Sequence, residues 1–267
     1  MNKRTTNKSN TSKFSFKKLN HWPLLAIFLL PLSVSAVEEE EAPGMSEMWE
    51  VEVAAKDTEA FEKAFKDHMK VRAKKGDPRA WQVYTPHTGD EMDRYLIRHC
   101  CFKWADRDAY AKWSQDSEIG KDWNSGPGKY AKSYSHHYSW VDHENSNWPN
   151  DGKSYAMVGV TTYKIKPGSN ANESVKEISK LAKDMGWDKS WAWSFSASGP
   201  SSVRLVFPFE NFADMSPSSP SFAEKAAKHL GSKEKAEAVF DRFSSNFKGT
   251  SYAIFTHRGD LSSKMDK

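Results

Sequence analysis

"VAAKDTEAFEKAFKDHMKVRAKKGDPRAWQVYTPHTG", running from Val53 to Gly89, has a counterpart in "YKIKPGSNANESVKEISKLAKDMGWDKSWAWSFSASG", from Tyr163 to Gly199. At a constant offset of 110 residues, Lys56 falls on Lys166, Gly76 on Gly186, Trp81 on Trp191 and Gly89 on Gly199. Few residues are identical, so the pattern of elements carries the comparison. Similarity at a fixed spacing marks a duplicated unit.

Each half opens with an expected strand, residues 48–53 and 156–163. A helix follows, entered at Asp57 or Thr58 in the first half. Phe61, Ala64, Phe65, Met69 and Val71 recur at helical spacing, as do Val175, Ile178, Leu181, Ala182 and Met185. Gly76 and Gly186 stop the two helices, as glycine does where a left-handed residue is needed. Hairpin strands are expected over 80–86 with 95–104, and over 190–197 with 202–209. Helical regions then begin at Asp106 and Phe222, with Ser232 as a fresh cap in the second. Aromatic strands close the halves, Tyr134–Trp140 and Ser251–Thr256.

Both halves therefore read strand–helix–strand–strand–helix–strand, the ferredoxin-like unit. The expected class is α+β: two tandem ferredoxin-like βαββαβ units packed sheet to sheet as an intramolecular α/β barrel. On this order of elements the chain resembles the dimeric α/β-barrel superfamily, with both halves fused. The resemblance implies a cavity between two sheets. The superfamily holds cofactor-independent monooxygenases, haem-degrading and haem-using enzymes, and proteins without assigned activity, so the fold leaves the chemistry open.

The start of the chain reads as an export signal. Lys3, Arg4, Lys8, Lys13, Lys17 and Lys18 precede the apolar run from Trp22 to Leu32, and Val34 and Ala36 sit where a signal peptidase reads. That run contains two prolines and is shorter than the roughly 20 residues a spanning helix needs. The reading gives a signal over 1–36, an acidic tail over 37–45, units over 46–148 and 154–260, a linker over 149–153 and a C-terminal tail over 261–267. A periplasmic or secreted location follows, with no stable membrane insertion after cleavage. The first 36 residues hold six of the 39 Lys and Arg and none of the 35 acids, leaving 33 basic and 35 acidic side chains. A basic nucleic-acid footprint is absent.

"RYLIRHCCFKW", Arg94 to Trp104, holds the two cysteines of the chain. Alternation on a strand sends Cys100 and Cys101 to opposite faces. Neighbouring Cα atoms about 3.8 Å apart are too close for a relaxed bridge, so both are expected as thiols. Cys101 and His99 are two ligands short of a zinc site.

Alternation also sorts the candidate site residues. The more apolar face of each hairpin strand is expected under helices, which leaves Tyr95, His99 and Cys101, and Arg204 in the second half, for the inter-sheet space. Gln82 and Tyr84 fall on the same side. Glu50 and Glu52 either point there too or are solvated at an open rim. His136 shares an aromatic face with Tyr134, Tyr138 and Trp140, and His68 lies on the buried stripe of its helix as a packing histidine.

His99, Arg204, Glu50, Tyr84, His136 and Tyr138 are thus the expected ligand-binding set, and no catalytic residue is assigned. Walker, dinucleotide, nucleophile-elbow and His-Glu-x-x-His patterns are missing from the sequence. The leading reading is an exported protein whose aromatic-lined inter-sheet cavity binds a small apolar or aromatic molecule. The alternatives are a monooxygenase-like or haem-using enzyme of the same superfamily, with haem as the implied cofactor, and a non-catalytic interaction module. A homo-oligomer is compatible with each.

Overall fold

Two glycines in the left-handed region, Gly76 and Gly186 at φ 64° each, end the two main helices where the repeat requires. The computed structural model describes residues 44–263. The expected signal over 1–36 and the acidic run to residue 43 lie outside the described residues. Met45, expected in the acidic tail, begins the first strand and is buried. The first half consists of β1 (Met45–Val53), α1 (Thr58–Lys74), β2 (Gln82–Pro86), β3 (Arg94–Phe102), α2 (Asp106–Asp116), α3 (Ile119–Ser125) and β4 (Ala131–Asn147). The second consists of β5 (Met157–Ile165), α4 (Ala171–Asp184), β6 (Trp191–Ser196), β7 (Ser202–Phe209), α5 (Phe222–Leu230), α6 (Lys233–Ser245) and β8 (Phe247–His257). Ser232 caps α6, its hydroxyl accepting from the Lys235 amide. None of these helices is long and apolar enough to cross a membrane.

The strands close into a barrel in the order β1-β3-β2-β8-β5-β7-β6-β4, with every pair antiparallel. The halves do not stack as two separate sheets. Backbone bonds join their edges, β2 to β8 around Thr85 and Thr256, and β4 to β6 around Trp140 and Phe195. Closure leaves no open strand edge, which in a sheet this size would otherwise be a template for aggregation.

Helices cover the outside. Val51, Val53, Phe61, Phe65, Trp81, Val83, Tyr95 and Ile97 form the core under α1. Under α4 the core is Val175, Ala182, Trp191, Trp193, Val203 and Phe247. The segment after β8 crosses to the first half. There Leu261 is buried in the core, and the hydroxyls of Ser262 and Ser263 accept from the Val83 and Trp81 amides at 2.9 Å each.

Alternation holds on β2 and β7, where Val83 and Val203 face helices and Tyr84 and Arg204 face the barrel interior. On β3 the expected faces are reversed. Tyr95 and Ile97 lie in the core under α1, so His99 shares the helix side while Leu96 and Arg98 point inward. The cause is a bulge. β1 pairs Ser46 with Cys100 but Met45 with Phe102, leaving Cys101 as an extra residue that switches the phase of the strand. The expectation of two thiols is also corrected. Cys100 and Cys101 are disulfide-bonded across a cis peptide, with Cα atoms 3.0 Å apart, whereas the expectation assumed trans spacing.

Candidate functional site

A cavity of about 790 Å³ lies in the first half, between the outer face of the barrel and the helices. That is within the usual range for small-molecule sites, about 300–1,000 Å³. β1 supplies Glu47, Trp49 and Val51 to one wall, with Trp81 and Ile97 beside them. α1 supplies Phe65, His68, Met69 and Arg72, α2 supplies Arg107 and Tyr110, and α3 supplies Trp123. Glu118, at φ 51°, breaks the path between α2 and α3 and lets α3 turn across this wall. Exposed Trp49 and Tyr134 stand at the mouth.

One polar group is built on α1. Asp122 lies 2.5 Å from His68 Nδ1, and Arg72 lies 3.3 Å from His68 Nε2. A carboxylate accepts and a guanidinium only donates, so Nδ1 carries the proton and Nε2 a lone pair. Burial is the larger influence and holds the imidazole below its ordinary pKa, against the pull of Asp122. Arg72 also donates to Asp77 at 2.6 Å and to the Tyr110 hydroxyl at 2.5 Å, which keep it beside the pocket.

The second polar group is built on β1. Glu47 is almost fully buried and forms an ion pair with buried Arg79. It accepts from Trp49 Nε1 at 3.2 Å and lies 2.8 Å from His136 Nε2. The Arg79 guanidinium lies over Tyr110 at 3.7 Å and Phe102 at 4.5 Å. Desolvation pushes its pKa down. His136 stacks flat on Trp49, centroids 3.9 Å apart. Burial, then the charges of Arg107 and Arg79, lower its pKa.

The six residues expected to bind a ligand divide between two spaces. His136 and Tyr138 are on the helix side by the pocket, where Arg107 Nε donates to the Tyr138 hydroxyl at 2.7 Å. His99 is on that side too, behind Trp81, with Nδ1 3.1 Å from the Ala80 carbonyl. Glu50, Tyr84 and Arg204 point into the barrel. Glu50 pairs with Arg94 at 3.0 Å. Glu52 is solvated at the rim, with Lys132 and Ser133 as partners. The aromatic cavity therefore lies between sheet and helices and not between the two sheets. Sequence reasoning missed Glu47, Arg72 and Arg79, and read His68 as packing alone. A signal for Glu47 existed: it continues the apolar alternation of Val53, Val51 and Trp49.

Among the described residues no cluster of three or more His, Cys, Asp or Glu is placed to hold a metal ion. Haem, implied by the resemblance, is held by an axial side chain, an imidazole in globins and peroxidases. His68 is the histidine on the described pocket wall, and both its nitrogens are engaged. As placed, His68 does not offer a free nitrogen to iron.

No protein-family model matches the sequence, and no curated protein matches it. Solved structures do match in fold. A variant of the chlorite dismutase of Candidatus Nitrospira defluvii, in complex with cyanide, aligns with a TM-score of 0.52 at 8% identity, over 83% of this chain and 93% of the other. A monooxygenase candidate from Fusobacterium nucleatum subsp. nucleatum aligns with a TM-score of 0.51 at 9% identity, over 81% and 93%.

Proposed function

The chain has the fold of the dimeric α/β-barrel superfamily, and we propose that it is a monooxygenase-like enzyme acting on a planar, largely apolar molecule with an acidic oxygen or carbon. The observation that carries the reading is the first-half pocket, with aromatic walls and one proton-accepting pair, His68–Asp122, beside the Arg72 guanidinium. Trp49, Trp81, Tyr110 and Trp123 suit a flat ring system. A substrate group that displaces Arg72 from His68 Nε2 can hand its proton there while Asp122 holds Nδ1–H. Arg72 is then next to the anion that forms and stabilises it. An anion of this kind reacts with dioxygen without a resident cofactor.

The repeated strand order supports a finer reading, two tandem ferredoxin-like units joined near residues 149–153. Each half contributes its strands in the order fourth, first, third, second. The leader-like start of the sequence supports export to the periplasm or beyond.

Quenching of tryptophan fluorescence by 1-naphthol tests occupancy of the pocket. Oxygen uptake with anthrone tests turnover: its methylene carbon becomes a carbonyl, one oxygen atom entering the product and the other leaving as water. The expected result is saturable quenching and saturable uptake. His68→Gln should abolish uptake and leave quenching within about threefold. Quenching without uptake would reduce the reading to a binding protein. Absence of both would overturn it.

A further inference from the structure

The barrel interior holds a second constellation, separate from the pocket. Arg98 on β3 and Arg204 on β7 both point inward, because Ile97 and Val203 next to them are buried in the helix-side cores. Arg98 lies in register between Met48 and Gln82. Arg204 lies between Thr162 and Ser194 and donates to the Ser139 hydroxyl at 3.3 Å. Small hydroxyl side chains therefore surround one guanidinium.

The charges inside do not balance. Arg98 makes no hydrogen bond or ion pair with any described residue. Desolvation pushes its pKa below the ordinary arginine value, and the charge of Arg204 adds to that shift. Glu50 is the inward carboxylate whose charge acts on Arg204, but it accepts from Arg94 at 3.0 Å and from Ser135 at 3.3 Å. His257 is held by Gln82 at 2.8 Å, and burial disfavours its charged form. Arg98 is half buried and water still reaches it, and an anion in fork geometry would be the stronger partner.

We propose that the barrel interior binds one small oxyanion between Arg98 and Arg204, with Ser139, Ser194 and Thr162 as supporting hydroxyls. The ligand is inorganic phosphate or sulfate, or the carboxylate of a small acid.

Calorimetric titration and thermal melting of the full chain test this, with phosphate, sulfate and succinate each compared with chloride at equal ionic strength. At least one should bind in a single equivalent and raise the melting temperature. Arg98→Met and Arg204→Met should each weaken binding about tenfold or more, the loss expected for one charge-assisted bond. Arg98→Met should also melt higher than the native chain in chloride, because an unpaired charge has gone. A response to phosphate or sulfate alone assigns an inorganic ion, and one to succinate alone a carboxylate. Sulfate stabilises many proteins by exclusion from their surfaces, so equal gains in the native chain and both variants would overturn the proposal. So would the absence of any response beyond chloride. If the methionine variants do not fold, Arg98→Lys keeps the charge, loses the fork and should still weaken binding about tenfold. Naphthol quenching should be unchanged throughout, which separates this site from the pocket.

Discussion

At the offset of the repeat, the polar positions of the first-half pocket fall mostly on apolar ones in the second. Glu47 corresponds to Met157, Trp49 to Gly159, His68 to Ile178, Arg72 to Ala182, Asp77 to Trp187 and Arg79 to Lys189. In the second half the space between sheet and helices is filled by Trp191, Trp193 and Phe247, with Tyr163 and Phe243 packed against them. In the first half the same space is the cavity. One frame has thus been used twice, once for packing and once for chemistry. Groups arranged for function usually cost stability, and a well-packed neighbour can offset that cost.

The comparison predicts unequal responses to mutation. Trp193 is buried, and its indole N–H donates to Ser179 at 2.8 Å. Trp193→Ala should cost about 3–5 kcal/mol in urea unfolding and leave naphthol binding intact. Loss of binding without loss of stability would mean that the halves do not divide the work this way. In the first half, Glu47→Ala should cost about 3 kcal/mol, because it strands the buried Arg79 charge. Glu47→Met combined with Arg79→Leu should restore most of that stability while abolishing the polar floor of the pocket. A double variant as unstable as the single one would show that the ion pair is not the source of the loss.

Smaller effects sharpen the contrast. A Cβ on Gly159 would overlap the Tyr252 hydroxyl and lie 2.9 Å from the Phe209 ring. Gly159→Ala should therefore destabilise by about 1–3 kcal/mol through overpacking, measured by thermal melting. The position equivalent to it in the first half carries a whole tryptophan.

Acid should act through the buried histidines. Burial depresses the pKa of His68, His99 and His136 below the ordinary value of 6.5. Below that value the unfolded chain takes up protons that the folded chain refuses. Stability from these groups is complete above pH 6.5 and falls as the pH drops through it. His68→Gln should flatten the slope of unfolding free energy below that point. An unchanged slope would remove His68 from the account.

The repeat, the helix stops and the inward faces of β2 and β7 were legible in the sequence because each depends on local chemistry. Gly76 and Gly186 act within one turn, and Tyr84 and Arg204 keep strict alternation with their neighbours. β3 was misread because alternation was counted through Cys101, and a bulge cannot be seen in the residues of one strand. The partner strand creates it. The pocket was illegible for a similar reason. It depends on where α3 lies, and that follows from the left-handed Glu118 and from packing against α1. His68 showed its buried face but not its partners, since Asp122 lies 54 positions away.

The docking of Leu261 sets an order on how the molecule can be completed. The residues of the first half leave the ribosome long before Leu261, Ser262 and Ser263 are made, yet those three seal its core and take up the Val83 and Trp81 amides. Arg258 adds a fork on Glu62 of α1, at 2.6 and 2.7 Å. Until that segment emerges, the nascent first half exposes an apolar seam and two unpaired donors next to Trp81. The half that carries the pocket therefore finishes last although it is synthesised first: its core closes only once Leu261 has emerged.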